Sequence, residues 1–202
     1  MPTRSETYKS LLQVEESSEN GTLMPRALLI LSSVWERSIK KNDKLVMMIS
    51  SKRNNNKKEN NITVFHGSKA PKLSITRYME RILKYARCSS SCFVIAQIYI
   101  DRYFSKNGGY LTSFNAHRLL VTSLLVAVKF VDDRYFSNAY YAQVGGISTQ
   151  EMNRMELEFL FSLEFRLFVT TEMFVKYCEN LDKVDNIGEY QIRRPIIRSN
   201  AK

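Results

Sequence analysis

The 202-residue sequence predicts an all-α protein: a helical domain from Ser74 to about Leu181, with one further helix ahead of it. Three observations predict this class. Apolar residues recur at intervals of three and four along most of the chain, as they do on one face of a helix. Two runs, Phe93–Tyr103 and Leu119–Val128, are apolar on nearly every side, which marks helices surrounded by other helices. Val, Ile and Tyr are frequent in these runs, yet the runs are too long for ordinary strands and do not alternate.

Taken in order, residues 1–22 are rich in Ser, Glu and Thr and read as disordered. Pro25 suits a first helical turn. Behind it Ala27, Leu28, Leu31, Val34, Trp35 and Ile39 fall on one side of a helix, so 23–50 is read as an N-terminal helical unit whose apolar pattern runs to about Lys41. Residues 51–72 read as a basic linker, because the low-complexity run Ser51–Asn61 has nothing to bury. Residues 73–182 form the domain. Ser74 can cap a helix bearing Ile75, Tyr78, Met79, Ile82, Leu83 and Ala86, which Ser89-Ser90-Ser91 breaks. The second helix runs from about Ser91 to Phe104, with Gly108-Gly109 ending the segment. A third follows Thr112 or Ser113 and runs to about Asp132. A short fourth fits Asn138–Val144. Ser148 and Glu151 form a capping-box pattern for a fifth, with Met152, Met155, Phe159, Leu160 and Leu163. Thr170 or Thr171 caps a following helix with Phe174, Tyr177, Cys178 and Leu181. Residues 183–202 read as a basic tail.

The formal charge of +10 invites a nucleic-acid or anionic-membrane reading. Its distribution argues otherwise. Residues 51–72 carry a net +5 and 183–202 a net +3, whereas 73–182, with 12 basic and 11 acidic side chains, is nearly neutral. Nucleic acid is therefore not the expected partner of the domain. No apolar run reaches the roughly 18 residues of a membrane span, and the N-terminus lacks an apolar leader segment. Cys88, Cys92 and Cys178 are an odd set with no second Cys/His pair to complete a zinc site, which points to thiols in a reducing compartment. No Gly-rich phosphate loop or Ser/His/Asp set is present, and no cofactor or metal is expected. Lys52-Arg53 and Lys57-Lys58 fit a signal for a nuclear-import receptor across 52–58; a solvated linker is the plainer reading of the same residues.

Within the second helix Asp101 lies among apolar residues. A buried carboxylate needs a partner, and Arg81 on the preceding helix is the expected one, as a structural ion pair. Lys129 ends the third helix and Glu156 lies in the fifth; charge pattern alone reads both as solvated surface residues.

The run Tyr99-Ile100-Asp101-Arg102-Tyr103-Phe104 resembles a signature of the cyclin family. Leu124–Asp133 resembles the cyclin helix ending in Lys-Phe, and Asn153-Arg154-Met155-Glu156 resembles the cyclin Met-Glu helix start. Phe65-His66-Gly67, Arg81–Tyr85, His117–Leu120 and Val144–Ile147 are similar to plant U-type (P-type) cyclins, relatives of the yeast phosphate-signalling cyclin. The resemblance covers about Leu23 to Leu181. It implies a single five-helix cyclin box, with an extra N-terminal helix and a partial C-terminal extension. It implies a regulatory subunit, not an enzyme, that binds and activates a cyclin-dependent protein kinase in cell division or nutrient-linked growth, in the nucleus and/or cytoplasm. Carried over from the family, Lys129 and Glu156 contact the kinase, and Phe130, Leu160 and Phe165 pack on it; the family also pairs a first-helix arginine with the Asp101 position. Met79-Glu80-Arg81-Ile82-Leu83 departs from the usual first-helix motif, and little chain remains after Leu181 for a second repeat. Two rival readings are a cyclin-fold nucleic-acid-binding transcription factor and a helical scaffold with no kinase partner.

Overall fold

Helices start where short polar side chains replace the missing backbone acceptors of a first turn. Ser74 Oγ accepts the Arg77 N–H at 3.3 Å, and Ser137 Oγ accepts that of Tyr140 at 3.4 Å. Ser148 accepts the Glu151 N–H at 3.1 Å while the Glu151 carboxylate accepts the Ser148 N–H at 3.2 Å, completing the capping box. The computed structural model describes residues 11–13, 24–52 and 62–187. Its helices are α1 Arg26–Lys52, α2 Ile75–Tyr85, α3 Ser91–Asn107, α4 Ala116–Val131, α5 Asn138–Gly145, α6 Thr149–Ser162 and α7 Thr171–Ile187. No strand occurs among the described residues, and no helix there is long and apolar enough to cross a membrane. The fold is all-α: α2–α6 form the five-helix box, α1 precedes it and α7 is the C-terminal extension.

α3 and α4 form the centre, and their mutual packing is the most extensive among the described helices. Both are buried on every face over most of their length, as expected for helices without a polar side. α1 packs on α2, α6 packs on α4 and α5, and α7 returns against α1 and α3. α5 approaches α4 closely enough that a Cβ at Gly145 would lie 2.9 Å from a Val121 methyl. The same glycine's carbonyl accepts the Tyr78 hydroxyl at 2.9 Å.

Four expectations need correction. Arg81 and Asp101 do not pair. Arg81 Nε donates to the Val144 carbonyl at 3.0 Å and Nη2 to that of Gln143 at 3.3 Å, at the carbonyl-rich end of α5. Asp101 accepts from Gln97 Nε2 at 2.9 Å and from the Tyr177 hydroxyl at 2.8 Å. Gln97 in turn accepts the Trp35 indole N–H at 2.6 Å, so one buried network joins α1, α3 and α7.

Second, residues 62–72 are not featureless linker. Phe65 is wholly buried, edge-on to Tyr103 and Phe159 with ring centroids 5.4 and 5.9 Å apart, and Gly67 N–H donates to the Phe114 carbonyl at 2.8 Å. One large aromatic anchors a polar segment that composition alone assigned to solvent. Third, Leu11 is wholly buried and the Leu12 carbonyl accepts the Ser90 hydroxyl at 3.0 Å, so the 1–22 segment is not uniformly disordered. Fourth, two helical boundaries move. α1 continues past Lys41 to Lys52; just beyond Lys41, Asn42 Nδ2 donates to the Leu111 carbonyl at 2.9 Å and Asp43 accepts the Ser113 N–H at 3.1 Å, polar tethers that apolar periodicity does not register. α7 continues to Ile187, into the stretch read as tail; residues 188–202 lie outside the described residues.

Candidate partner-docking surface

The last turn of α4, the first turn of α5 and the middle of α6 meet at Lys129 and Glu156. Lys129 Nζ lies 2.6 Å from Glu156 Oε1. Asn138 Nδ2 donates to Glu156 Oε2 at 2.6 Å and also to Asn153 Oδ1 at 2.7 Å. Both carboxylate oxygens are thereby engaged, and Glu156 is held to 14% side-chain exposure against 30% for Lys129. A lysine side chain otherwise carries about 2 kcal/mol of rotamer entropy; fixing it in advance lowers what a partner must spend to order it.

The same elements carry apolar groups. Phe130, next to Lys129, is exposed. Leu160 follows Glu156 by four residues, on the same face of α6, and is half-buried against the core. Phe165, just past α6, is 57% exposed and meets the Phe161 ring edge-on at 5.3 Å. The structure thus joins Lys129 directly to Glu156 and sets Leu160 on the same helix face as Glu156. Phe130 is exposed beside Lys129 in the sequence of α4, and Phe165 is exposed just past α6.

Several contributors were not anticipated. Asn138 was read only as a helix start, yet it orients Glu156. Leu157, Phe161 and Phe168 are exposed and extend the apolar surface. A signal for the first two was available: they are apolar, four residues apart, and off the Met152–Met155–Phe159 core face of α6. A separate cleft of about 370 Å³ lies between residues 62–66, Arg118 and α6. There Arg118 Nη2 is 3.0 Å from Glu151 Oε1, and that hydrogen bond, reinforced by Ser148, holds the Glu151 carboxyl below its ordinary range. Gly67 belongs to this corner: a Cβ on it would collide with the Arg118 guanidinium.

The ion pair, with exposed apolar side chains on the same helices, makes this surface the candidate for partner docking. The comparisons with known proteins name the kind of protein that carries it. The cyclin family matches residues 26–167, which spans α1 through α6 and the first part of the connection to α7. Cyclin-P3-1 of Oryza sativa subsp. japonica is 51% identical over 179 residues, covering 88% of this chain and 73% of that protein. Cyclin-U4-1 of Arabidopsis thaliana is 47% identical over 166 residues, 82% of this chain and 79% of the relative. Cyclin-U3-1 of the same plant is 45% identical over 174 residues, 85% and 74% respectively. The chain belongs to the cyclin family, within its plant U/P-type group, and its role is regulatory.

Proposed function

We propose that this chain binds a cyclin-dependent protein kinase and stabilises its active form, controlling cell division or nutrient-linked growth. The observation that carries the reading is the Lys129–Glu156 pair, joined at 2.6 Å in a cyclin box whose Phe130 and Phe165 are exposed. A kinase exchanges between inactive and active placements of its regulatory helix and activation loop. A rigid surface complementary to the active placement alone draws the population toward it. Moving the balance from 1:99 to 99:1 takes about 5.5 kcal/mol of differential affinity. Apolar contacts at Phe130, Leu160 and Phe165 supply the burial, and Lys129 and Glu156 supply orientation. Phosphoryl transfer itself belongs to the kinase.

The same proposal puts the site of action in the nucleus and/or cytoplasm. Residues 52–58 would meet an import receptor; the side chains of that stretch lie outside the described residues. The test is co-purification with a cyclin-dependent kinase, and its activation, for wild type and for Lys129→Glu combined with Glu156→Ala. The expected result is a folded double variant, judged by circular dichroism, that neither retains nor activates the kinase. A folded double variant that binds and activates normally refutes the placement. Retention on DNA at about 0.15 M salt, where phosphate contacts are already weakened, would support the nucleic-acid reading that the basic segment 51–72 favours.

A further inference from the structure

The segment between α6 and α7 has no regular structure, yet it carries two of the most exposed aromatic side chains, Phe165 at 57% and Phe168 at 72%. An apolar group on a free loop binds weakly, because ordering the loop consumes much of the contact energy. This loop is not free. Three consecutive carbonyls are taken up by one face of α3: Arg102 Nη1 donates to Arg166 O at 2.6 Å, the Tyr99 hydroxyl to Leu167 O at 2.7 Å, and Arg102 Nη2 to Phe168 O at 3.0 Å. One helical turn further along α3, Lys106 pairs with Glu164 at 2.7 Å. Arg102 also reaches Met173 Sδ at 3.2 Å, the first turn of α7, and its guanidinium lies 5.8 Å from the Tyr99 ring centroid.

The backbone at this point needs such support. Glu164 and Phe165 are consecutive non-glycine residues with φ of +52° and +55°. Each is disfavoured for an L-residue and persists only where surrounding contacts fix it.

We infer that Arg102 is a positioning residue for partner binding: it clamps the 163–170 connection so that Phe165 and Phe168 stand preset on the docking surface. The inference rests on the kinase-binding reading above. An arginine suits the role because its planar fork reaches two carbonyls at once. A lysine at 102 keeps the charge and stem but supplies a single point donor. Arg102 faces the loop and is not assigned a contact with the kinase itself.

The test is a double-mutant cycle on the full chain, read as the dissociation constant for the cyclin-dependent kinase that co-purifies with wild type. Amide hydrogen exchange is followed in the free protein. Arg102→Lys should keep the wild-type circular dichroism spectrum, speed exchange at residues 164–169 selectively and weaken binding roughly tenfold. In a Phe165→Ala/Phe168→Ala background it should weaken binding no further, because the groups it presents are gone. In a Lys129→Ala background its effect should multiply with the other loss, as for independent sites. Wild-type affinity in Arg102→Lys, unchanged exchange at 164–169, or a loss that multiplies with the phenylalanine deletions would each overturn the inference. A wild-type chain that binds no cyclin-dependent kinase overturns the function proposed above. A wild type that binds beside an Arg102→Lys variant that binds equally well overturns this inference alone.

Discussion

His117 has one ring nitrogen bonded and one without a partner. Nε2 lies 2.8 Å from the Leu73 carbonyl, so that nitrogen carries the proton. Nδ1 is buried with no hydrogen-bond partner among the described residues, and protonating it would bury a second N–H without an acceptor. Burial accordingly lowers the pKa of His117 from its ordinary 6.5, and it lowers that of His66 for the same reason. The folded chain therefore resists a proton that the unfolded chain takes up, so stability is fully present above pH 6.5 and falls as the pH drops toward the folded-state values. The melting temperature should be lower at pH 5.5 than at pH 7.5, and the difference should shrink in His117→Gln. An undiminished difference in the variant would remove His117 from the explanation. The thiols behave differently. Burial, with Asp132 adding repulsion, pushes Cys88 up to about 12, and burial pushes Cys178 up to about 11, so both are protonated at neutral pH and serve as packing groups.

Single elements differ in how they are held. The start of α6 is secured locally, by the capping box between Ser148 and Glu151. Replacing Ser148 by alanine should lower the unfolding free energy by about 1 kcal/mol. The 62–72 segment is secured at a distance, through Phe65 against Tyr103 of α3 and Phe159 of α6. Phe65→Ala should remove about 3–5 kcal/mol, the usual range for an aromatic in a packed core. Urea melts of the two variants test the contrast. Similar midpoints would mean that the segment is not part of the cooperative core. The first case was legible in sequence because a cap is built from residues three apart. The second was not, because nothing near Phe65 in the chain distinguishes a buried phenylalanine from an exposed one.

At the scale of the molecule, α1 is integral to the box. Ala27, Leu28, Leu31, Val34 and Trp35 are buried, and Arg26 pairs with Asp182 of α7 at 2.9 Å. Trp35 is the one tryptophan of the chain, and its indole N–H bonds Gln97 of α3. Its fluorescence therefore reports whether α1 is docked. The fluorescence and far-ultraviolet circular dichroism transitions should coincide on thermal or urea unfolding, as they do for a single cooperative unit. A fluorescence transition at lower denaturant would show α1 leaving first and refute the integrated domain. Trp35→Phe keeps most of the packing but leaves the buried Gln97 oxygen short of a donor, a loss of about 1–3 kcal/mol.

Much of the helical content was written locally. The periodicity of Ile75–Ala86, the all-round apolarity of α3 and α4, and the caps at Ser74 and Ser148 act within a few residues and needed no knowledge of the rest of the chain. The family resemblance likewise singled out Lys129 and Glu156 as candidates. Which side chains meet across the fold was decided by tertiary structure. Asp101 was rightly read as requiring a partner, but charge favoured Arg81, whereas position on the helices supplied Gln97 and Tyr177, the latter 76 residues away. Lys129 and Glu156 became one unit only when α4 and α6 packed together and α5 brought Asn138 to the second carboxylate oxygen. Periodicity states which face of a helix is apolar. Which groups come within hydrogen-bond distance depends on how helices distant in sequence are oriented against one another, and no local pattern records that.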